Sequence, residues 1–238
     1  MKPFTFKIGG EAGFGITSAG LTFSKIVSRS GYHAFDYMEY PSIVRGGHNV
    51  MQTTIADRRV ATPFTTTDFL VALNQETMDR HAQELGKGSI LLYDKDENIS
   101  LKAVSKECRT VGIPLTTIAR EAGGNIVMRN TVALAATLNL LGGELSVLKK
   151  IISEEFKKKP EILKKNLTVA NAGFRHAAVY FKAYQQSVLG KRQATQQKIV
   201  VNGNEAIALG AVAAGMQFAA IYPMTPTSNI LHVLAKLQ

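Results

Sequence analysis

Two short, uniformly apolar stretches constrain the fold more than any other feature of this sequence. Phe69–Asn74 (FLVALN) and Ser89–Asp94 (SILLYD) lack polar alternation, which is typical of strands that are buried on both faces. The segment between them, residues 74–88, predicts a helix with a glycine end. This alternation of strand and helix predicts an α/β fold with a mostly parallel sheet.

The N-terminal part of the chain follows the same pattern. Phe4–Gly10 predicts a strand that ends in a glycine turn, and residues 15–31 predict the next helix. Apolar side chains recur there at helical spacing, at Ile16, Ala19, Phe23, Ile26 and Val27. Residues 32–40 and 49–57 are expected to be extended. Three later helices are expected at Asn130–Leu141, Leu145–Lys158 and Pro160–Gln185.

The composition changes near the C-terminal end. Residues 186–197 are mostly polar and show no periodic spacing of apolar residues. They predict a linker between a domain at 1–185 and a segment at 198–238. That segment predicts a strand, a helix, a second strand, a turn and the start of another helix. It is too short to bury a core of its own. We therefore expect it to be the incomplete beginning of a second domain.

Composition excludes several classes of protein. There is no run of about 18 apolar residues and no signal-peptide pattern, and one cysteine, Cys108, allows neither an internal disulfide framework nor a cluster ligated by this chain alone. A cytoplasmic protein is expected. The net charge of +10 includes seven lysines between Lys149 and Lys165, a pattern typical of a solvated helix face. No aromatic residues alternate with them, so neither nucleic acid nor a membrane is an expected partner.

The turn after the first strand, Gly9–Ser18 (GGEAGFGITS), is a candidate anion site. Its glycines Gly13 and Gly15 let the backbone approach a ligand, and a helix N-terminus follows. The spacing misses the last glycine of a dinucleotide fingerprint, and no Gly-Lys-Ser/Thr follows. A structural turn, a phosphate or cofactor site, and an NAD site with Asp36 on the ribose all stay open.

A second loop, Glu39–Val50 (EYPSIVRGGHNV), combines a cation, two glycines and an imidazole. Its candidate ligand-binding residues are Arg45, Gly46, Gly47 and His48, which together can surround a phosphate or carboxylate. A hairpin connection with incidental polar residues is the alternative. The remaining histidines show no metal-ligand spacing and are expected at the surface or as satisfied core residues: His33, His81, His176 and His232. No metal site is expected on this chain.

Near the end of the chain, IYPMTPTS contains two prolines, Pro223 and Pro226, that fix φ and stiffen a turn. Such a frame can hold the hydroxyl of Thr225 in one place. From the residues alone, a Pro-rich strand-to-helix turn with Thr225 or Thr227 as helix cap is the favoured interpretation.

Four motifs, taken in order, resemble one known family. GGEAGFGI, EYPSIVRGGHN, DFLVALNQE and IYPMTPTS are similar to the alpha subunit of 2-oxoacid:ferredoxin oxidoreductases, in the type that carries a gamma domain ahead of the alpha domain. The resemblance covers nearly the whole chain. It implies a Rossmann-like gamma domain followed by the start of a thiamine-diphosphate-binding α/β domain.

The resemblance also implies an activity: oxidative decarboxylation of a 2-oxoacid to acyl-CoA, with coenzyme A as co-substrate and electrons passed to ferredoxin. Thiamine diphosphate, its Mg²⁺ and the iron–sulfur cluster are expected mainly on a partner beta subunit. Thr225 is the residue that matches the family's substrate-side threonine, with Tyr222, Pro223 and Pro226 framing it. Gly13, Gly15 and the loop residues 45–48 are candidates for coenzyme A contacts.

Two alternatives remain at this point. The chain could be a non-catalytic gamma-type module that docks onto catalytic subunits, or, with less support, an NAD-binding dehydrogenase. The family's alpha domain extends beyond the position of Gln238 and carries a glutamate and an arginine for the cofactor and substrate. We therefore expect this chain by itself to be inactive.

Overall fold

A computed structural model of the chain describes residues 1–41, 46–190, 192, 198–224 and 227–237. Two compact units are found, Met1–Lys198 and Ile199–Gln238. Within the described residues, no helix combines the length and apolar character needed to cross a membrane.

The first unit contains a six-stranded sheet in the order β2-β3-β1-β4-β5-β6. The strands are β1 (Phe4–Glu11), β2 (His33–Glu39), β3 (His48–Ala56), β4 (Thr67–Ala72), β5 (Leu85–Asp94) and β6 (Arg109–Ile113). Strands β1, β4, β5 and β6 pair in parallel, whereas β3 pairs antiparallel with both β1 and β2. The predicted α/β fold with a mostly parallel sheet is confirmed.

Helices cover both faces of this sheet. They are α1 (Ile16–Arg29), α2 (Gln75–His81), α3 (Leu115–Glu121), α4 (Arg129–Leu140), α5 (Leu145–Glu155) and α6 (Pro160–Tyr180). The larger core lies on the face covered by α1 and α4, where Phe6, Phe23 and Phe69 are completely buried. A smaller core lies on the α2 face around Leu70, Met78 and Leu91. Burial on both faces explains the uniformly apolar strands.

The helix predicted after β4 is shorter than expected. Helix α2 ends at His81, a 3₁₀ turn occupies Ala82–Glu84, and β5 begins at Leu85. The predicted glycine end, residues 86–88, is therefore part of a strand. The pairing of Leu85 with Thr67 of β4 places the start of β5 in the sheet, which a local propensity argument does not capture. Strand β6 and helix α3 were not predicted from the sequence.

The start of the predicted linker packs onto the first unit. The backbone N–H groups of Gln186, Val188 and Leu189 donate to the carbonyls of Leu140 and Leu141 at the end of α4. The Leu189 side chain is buried in the main core. These bonds satisfy the carbonyls that a helix C-terminus otherwise leaves without partners.

The second unit contains α7 (Gly203–Ala213) and α8 (Thr227–Leu234). Asn202 and Glu205 form a reciprocal capping box at the start of α7. The two strands predicted within 198–238 are not formed in the described residues, so that prediction is wrong there. A strand is stabilised by pairing with neighbours, and the described part of this unit offers no sheet to pair with.

Candidate functional site

The glycine turn lies at the carboxyl end of β1, the edge where open α/β sheets bind ligands. Gly13 and Gly15 have φ of 91° and 76°, values in the left-handed region that favours glycine. Gly15 is the N-cap of α1 and provides no side chain to cap the first turn. The first N–H groups of α1 therefore lie beside a backbone that a ligand can approach closely.

The second loop returns the chain to the same edge. Gly46 and Gly47 also have positive φ, 75° and 81°, and the Gly47 carbonyl accepts a 2.9 Å hydrogen bond from the N–H of Ala12. In the β1–β3 register, His48 lies opposite Glu11. The structure thus brings together two glycine segments that are distant in sequence. Arg45, the predicted cation of the loop, lies outside the described residues.

Helix α4 contributes two side chains to the turn. The Nδ2 of Asn130 donates to the Phe14 carbonyl at 2.7 Å, while its Oδ1 is buried and has no partner among the described residues. The guanidinium of Arg129 lies 5.7 Å from the centre of the Phe14 ring and is held by Asp94 and Glu97. The position of Asn130 Oδ1 beside the glycine turn makes this unpaired acceptor a candidate partner for a hydrogen-bond donor on a ligand.

Two clefts flank the turn. One of about 390 Å³ lies between α1, α4, α5 and α6 and includes Gly15, Ser18, Asn125 and Asn130. The other, of about 230 Å³, is lined by residues of the turn and of β2 and β3, among them Ala12, Thr17 and Asn49. The first has the size of a small-molecule site.

A larger cleft of about 920 Å³ runs along the C-terminal half of α6, past His176 and Tyr180. None of the unpaired buried polar atoms identified among the described residues lies in it. A cleft without a polar group that requires a partner is a weaker candidate for specific binding. We therefore assign the candidate site to the glycine turn.

Among the described residues of the second loop, His48 has a buried side chain with a defined polar contact. It is 8% exposed, and its Nε2 lies 3.0 Å from Nε2 of His81. The His81 Nδ1 bonds to Glu84 at 2.7 Å, and the other oxygen of Glu84 accepts from Lys7 at 2.6 Å and Thr67 at 2.7 Å. A buried polar chain therefore links the start of β3 to β1 and β4.

The charge states of His48 and Glu84 follow from their contacts. Burial, together with the neighbouring His81, lowers the pKa of His48 from 6.5 to about 4. Burial alone would raise the pKa of Glu84, but hydrogen bonds from His81, Lys7 and Thr67 outweigh it and lower that pKa to about 2. At neutral pH, His48 is neutral and Glu84 is ionised. No cluster of three or more potential metal ligands occurs in the described part of the chain.

Gly9 is what allows this packing. A Cβ at Gly9 would lie 2.6 Å from Cγ2 of Thr77 and 2.9 Å from Cε1 of His48. These separations are shorter than van der Waals contact, so a side chain at Gly9 would displace one of the two neighbours.

Asp36, the residue considered for an NAD ribose, bonds to neighbouring elements of the fold. Its Oδ1 accepts hydrogen bonds from Ser24 and, at 2.8 Å, from Thr53. This oxygen of Asp36 therefore joins β2 to α1 and β3 and has a structural role in the fold.

The family of the chain follows from comparison with known proteins. The family model described as pyruvate ferredoxin/flavodoxin oxidoreductase matches residues 5–176. The chain belongs to this family. The predicted resemblance is confirmed. The matched region includes both glycine segments, Asn130, and the hydrogen-bonded residues Lys7, His48, His81 and Glu84.

Relatives within the oxidoreductase family include multi-subunit enzymes. The VorA subunit of ketoisovalerate oxidoreductase from Methanothermobacter thermautotrophicus is 35% identical over 171 residues, covering 70% of this chain and 35% of the relative. The KorA subunit of 2-oxoglutarate oxidoreductase from Mycobacterium tuberculosis is 26% identical, covering 99% of this chain and 41% of the relative. The chain thus spans only about two fifths of the length of such relatives.

Solved structures of oxidoreductases are also similar to this chain. The 2-oxoglutarate:ferredoxin oxidoreductase from Magnetococcus marinus, solved with 2-oxoglutarate, coenzyme A and succinyl-CoA bound, matches with a TM-score of 0.87 and 26% identity over 99% of this chain and 41% of its own. A keto/oxoacid ferredoxin oxidoreductase gamma subunit from Geobacter sulfurreducens matches with a TM-score of 0.62 and 24% identity, over 74% of this chain and 98% of its own. The second match supports the fold of the first unit.

The structure brings only some of the predicted site residues together. Gly13, Gly15, Gly46, Gly47 and His48 come together at one edge of the sheet. Tyr222 and Pro223 are exposed in the second unit, whereas Thr225 and Pro226 lie outside the described residues. Sequence reasoning missed the contacts of Lys7, His81, Glu84 and Asn130 with the site, because no spacing rule relates residues on four different elements.

Proposed function

We propose that this chain is the N-terminal part of the alpha subunit of a 2-oxoacid:ferredoxin oxidoreductase. It would comprise the gamma-like domain and the beginning of the alpha domain. Its glycine turn would contribute to binding coenzyme A in the oxidative decarboxylation of a 2-oxoacid to acyl-CoA. The observation that carries this proposal is that two segments with positive-φ glycines, Gly13–Gly15 and Gly46–Gly47, meet through the bond from Ala12 to Gly47. The unpaired Oδ1 of Asn130 lies beside the first of them. The similarity to an enzyme solved with coenzyme A supports the choice of ligand.

The residues of the turn suit the two chemical ends of coenzyme A. Backbone N–H groups at the start of α1 suit its phosphates, and Asn130 Oδ1 can accept from an amide N–H or a hydroxyl. The exposed Glu11 carboxylate within the turn opposes anion binding. We therefore expect Gly13, Gly15 and the loop residues 45–48 to bind phosphate mainly through the backbone and Arg45.

The reaction itself needs groups beyond this chain. Thiamine diphosphate supplies the carbanion chemistry of 2-oxoacid decarboxylation when it is bound. We propose that a partner beta subunit holds most of it, with Mg²⁺ and the iron–sulfur cluster that passes electrons to ferredoxin. The role proposed for Thr225 is to bond the 2-oxoacid from the second unit, in a turn framed by Tyr222, Pro223 and Pro226.

The domain organisation is part of this proposal. Residues 1–185 would be the gamma-like domain, 186–197 the connection, and 198–238 the beginning of the pyrimidine-side domain for thiamine diphosphate. The family match over residues 5–176 supports the first of these assignments.

Calorimetric titration of the 238-residue chain with coenzyme A tests the binding role. We expect binding of coenzyme A and no binding of NAD. Asn130→Asp should weaken coenzyme A binding, since it removes the donor to Phe14 and adds a negative charge beside the phosphates. Asn171→Asp makes the same charge change at an exposed position of α6 and should have little effect. Equal weakening by both variants would remove Asn130 from the site.

A non-catalytic assembly module remains the second candidate, because the first unit resembles a separate gamma subunit in fold. In that case, the chain would bind the catalytic subunits but not coenzyme A. Co-purification with a beta subunit, combined with the titration, separates the two candidates.

A further inference from the structure

The polar chain Lys7–Glu84–His81–His48 carries a definite pattern of donors and acceptors. We propose that Glu84 and His81 are positioning residues that hold His48 as the neutral Nε2–H tautomer next to the Gly46–Gly47 loop. The consequence for ligand binding rests on the proposed function of the turn. The tautomer assignment rests on the contacts alone.

The assignment starts from Glu84, which accepts at both oxygens. Lys7 and Thr67 donate to Oε2, so Oε1 is left as the acceptor for His81. A carboxylate carries no proton of its own to donate, so His81 Nδ1 must carry the hydrogen in their 2.7 Å bond.

The next step is the contact between the two rings. In the neutral form of His81 that carries its hydrogen on Nδ1, Nε2 has no hydrogen and can only accept. The 3.0 Å contact between the Nε2 atoms then requires the hydrogen to be on Nε2 of His48.

The last step concerns the far side of the His48 ring. Its Nδ1 is buried and has no partner among the described residues. In the proposed tautomer this atom is an unpaired acceptor, whereas the opposite tautomer would bury an unpaired N–H. Orphaned buried N–H groups are the rarer of the two. The bonds running from Glu84 to His48 and the unpaired Nδ1 thus favour the same tautomer.

This arrangement ties the loop to the sheet. His48 directly follows Gly47, whose carbonyl bonds to Ala12 in the glycine turn. Fixing the His48 ring between Gly9 and His81 fixes the backbone at Gly47, where glycine alone would leave many conformations accessible. The positioning residues therefore act on the turn through His48 and do not touch a ligand themselves.

Glu84→Gln provides a specific test. Lys7 and Thr67 donate to the Oε2 position, so the amide oxygen of the variant side chain will face them and its NH₂ group will face His81 Nδ1. His81 must then accept at Nδ1 and donate from Nε2, and His48 must accept at Nε2 and carry its hydrogen on Nδ1. One substitution should invert both tautomers.

Nitrogen-15 NMR of the imidazole rings in the full chain at about pH 7.5, above the unperturbed pKa of histidine, measures this directly. In the wild type we expect His48 protonated at Nε2 only, and in Glu84→Gln at Nδ1 only. Glu76→Gln is the matched control, because Glu76 lies on α2 and pairs with exposed Arg80, outside the bonded chain. Wild-type His48 protonated at Nδ1, or at both nitrogens, would overturn the proposal even if Glu84→Gln did not fold.

The same samples are titrated with coenzyme A. Glu84→Gln should bind about tenfold more weakly than wild type, because the inverted tautomer buries an unpaired Nδ1–H on His48 and so disfavours the ring position that holds the loop. Glu76→Gln should match wild type. If the tautomers invert and affinity is unchanged, the positioning role is refuted. If wild type shows the expected tautomer but does not bind coenzyme A, the proposed function fails while the tautomer assignment stands.

Discussion

His48 makes the stability of the first unit depend on pH. Its pKa is about 4 in the folded chain and 6.5 in a model peptide, so the unfolded chain binds a proton more readily between these values. The contribution of His48 to stability is therefore fully present above about pH 6.5 and decreases as the pH falls toward about 4. One pKa unit corresponds to about 1.4 kcal/mol, which gives a loss of about 2–3 kcal/mol between about pH 7.5 and about pH 4.5.

Other groups titrate in this range too, so a variant must isolate the contribution of His48. His48→Gln does not ionise, and its amide can still donate to Nε2 of His81. Urea unfolding at about pH 7.5 should show the two proteins within about 1 kcal/mol of each other. At about pH 4.5, the wild type should have lost about 2–3 kcal/mol more than His48→Gln.

The comparison gives a clear refutation. If wild type and His48→Gln lose stability in parallel across this pH range, His48 is not held neutral by its surroundings. The pKa of His48 would then be the same in the folded and unfolded chains, and burial of the ring would not disfavour its protonated form.

Further predictions concern packing, catalysis and the second unit. Gly173→Ala should destabilise the first unit by about 1–3 kcal/mol in urea unfolding, because the new Cβ would lie 2.7 Å from the carbonyl oxygen of Val132; exposed Asn171→Ala on the same helix should not. Thr225→Ala in the assembled complex should lower turnover with little loss of thiamine diphosphate binding. Limited proteolysis of the chain should cut beyond Lys198 first, since large apolar side chains such as Phe218 are exposed there; full protection of that segment would contradict this.

Several elements were predictable because local patterns determine them. The apolar spacing from Ile16 to Val27 specifies α1 and its buried face, and Gly31 ends it in a Schellman arrangement with Tyr32 N–H bonded to Val27 and Gly31 N–H bonded to Ser28. The uniformly apolar strands β4 and β5 followed from burial on both faces. The two glycine segments were recognisable because positive φ favours glycine.

Other features depended on pairing between distant segments. Strand β6 has few large apolar residues and forms because β5 offers an open edge. The two strands predicted in the segment after the linker do not form among the described residues, because the described part of the second unit contains no strand with which they could pair. Strand formation is thus decided by neighbours more than by the segment itself.

The sequence by itself determined the α/β class, the family and the glycine segments that define the site. Only the tertiary structure placed Asn130 on Phe14 and His81 on His48. These contacts join residues from separate elements, and their geometry depends on strand order and helix packing. A side chain's hydrogen-bond partners are fixed by that packing, which no local pattern in the sequence encodes.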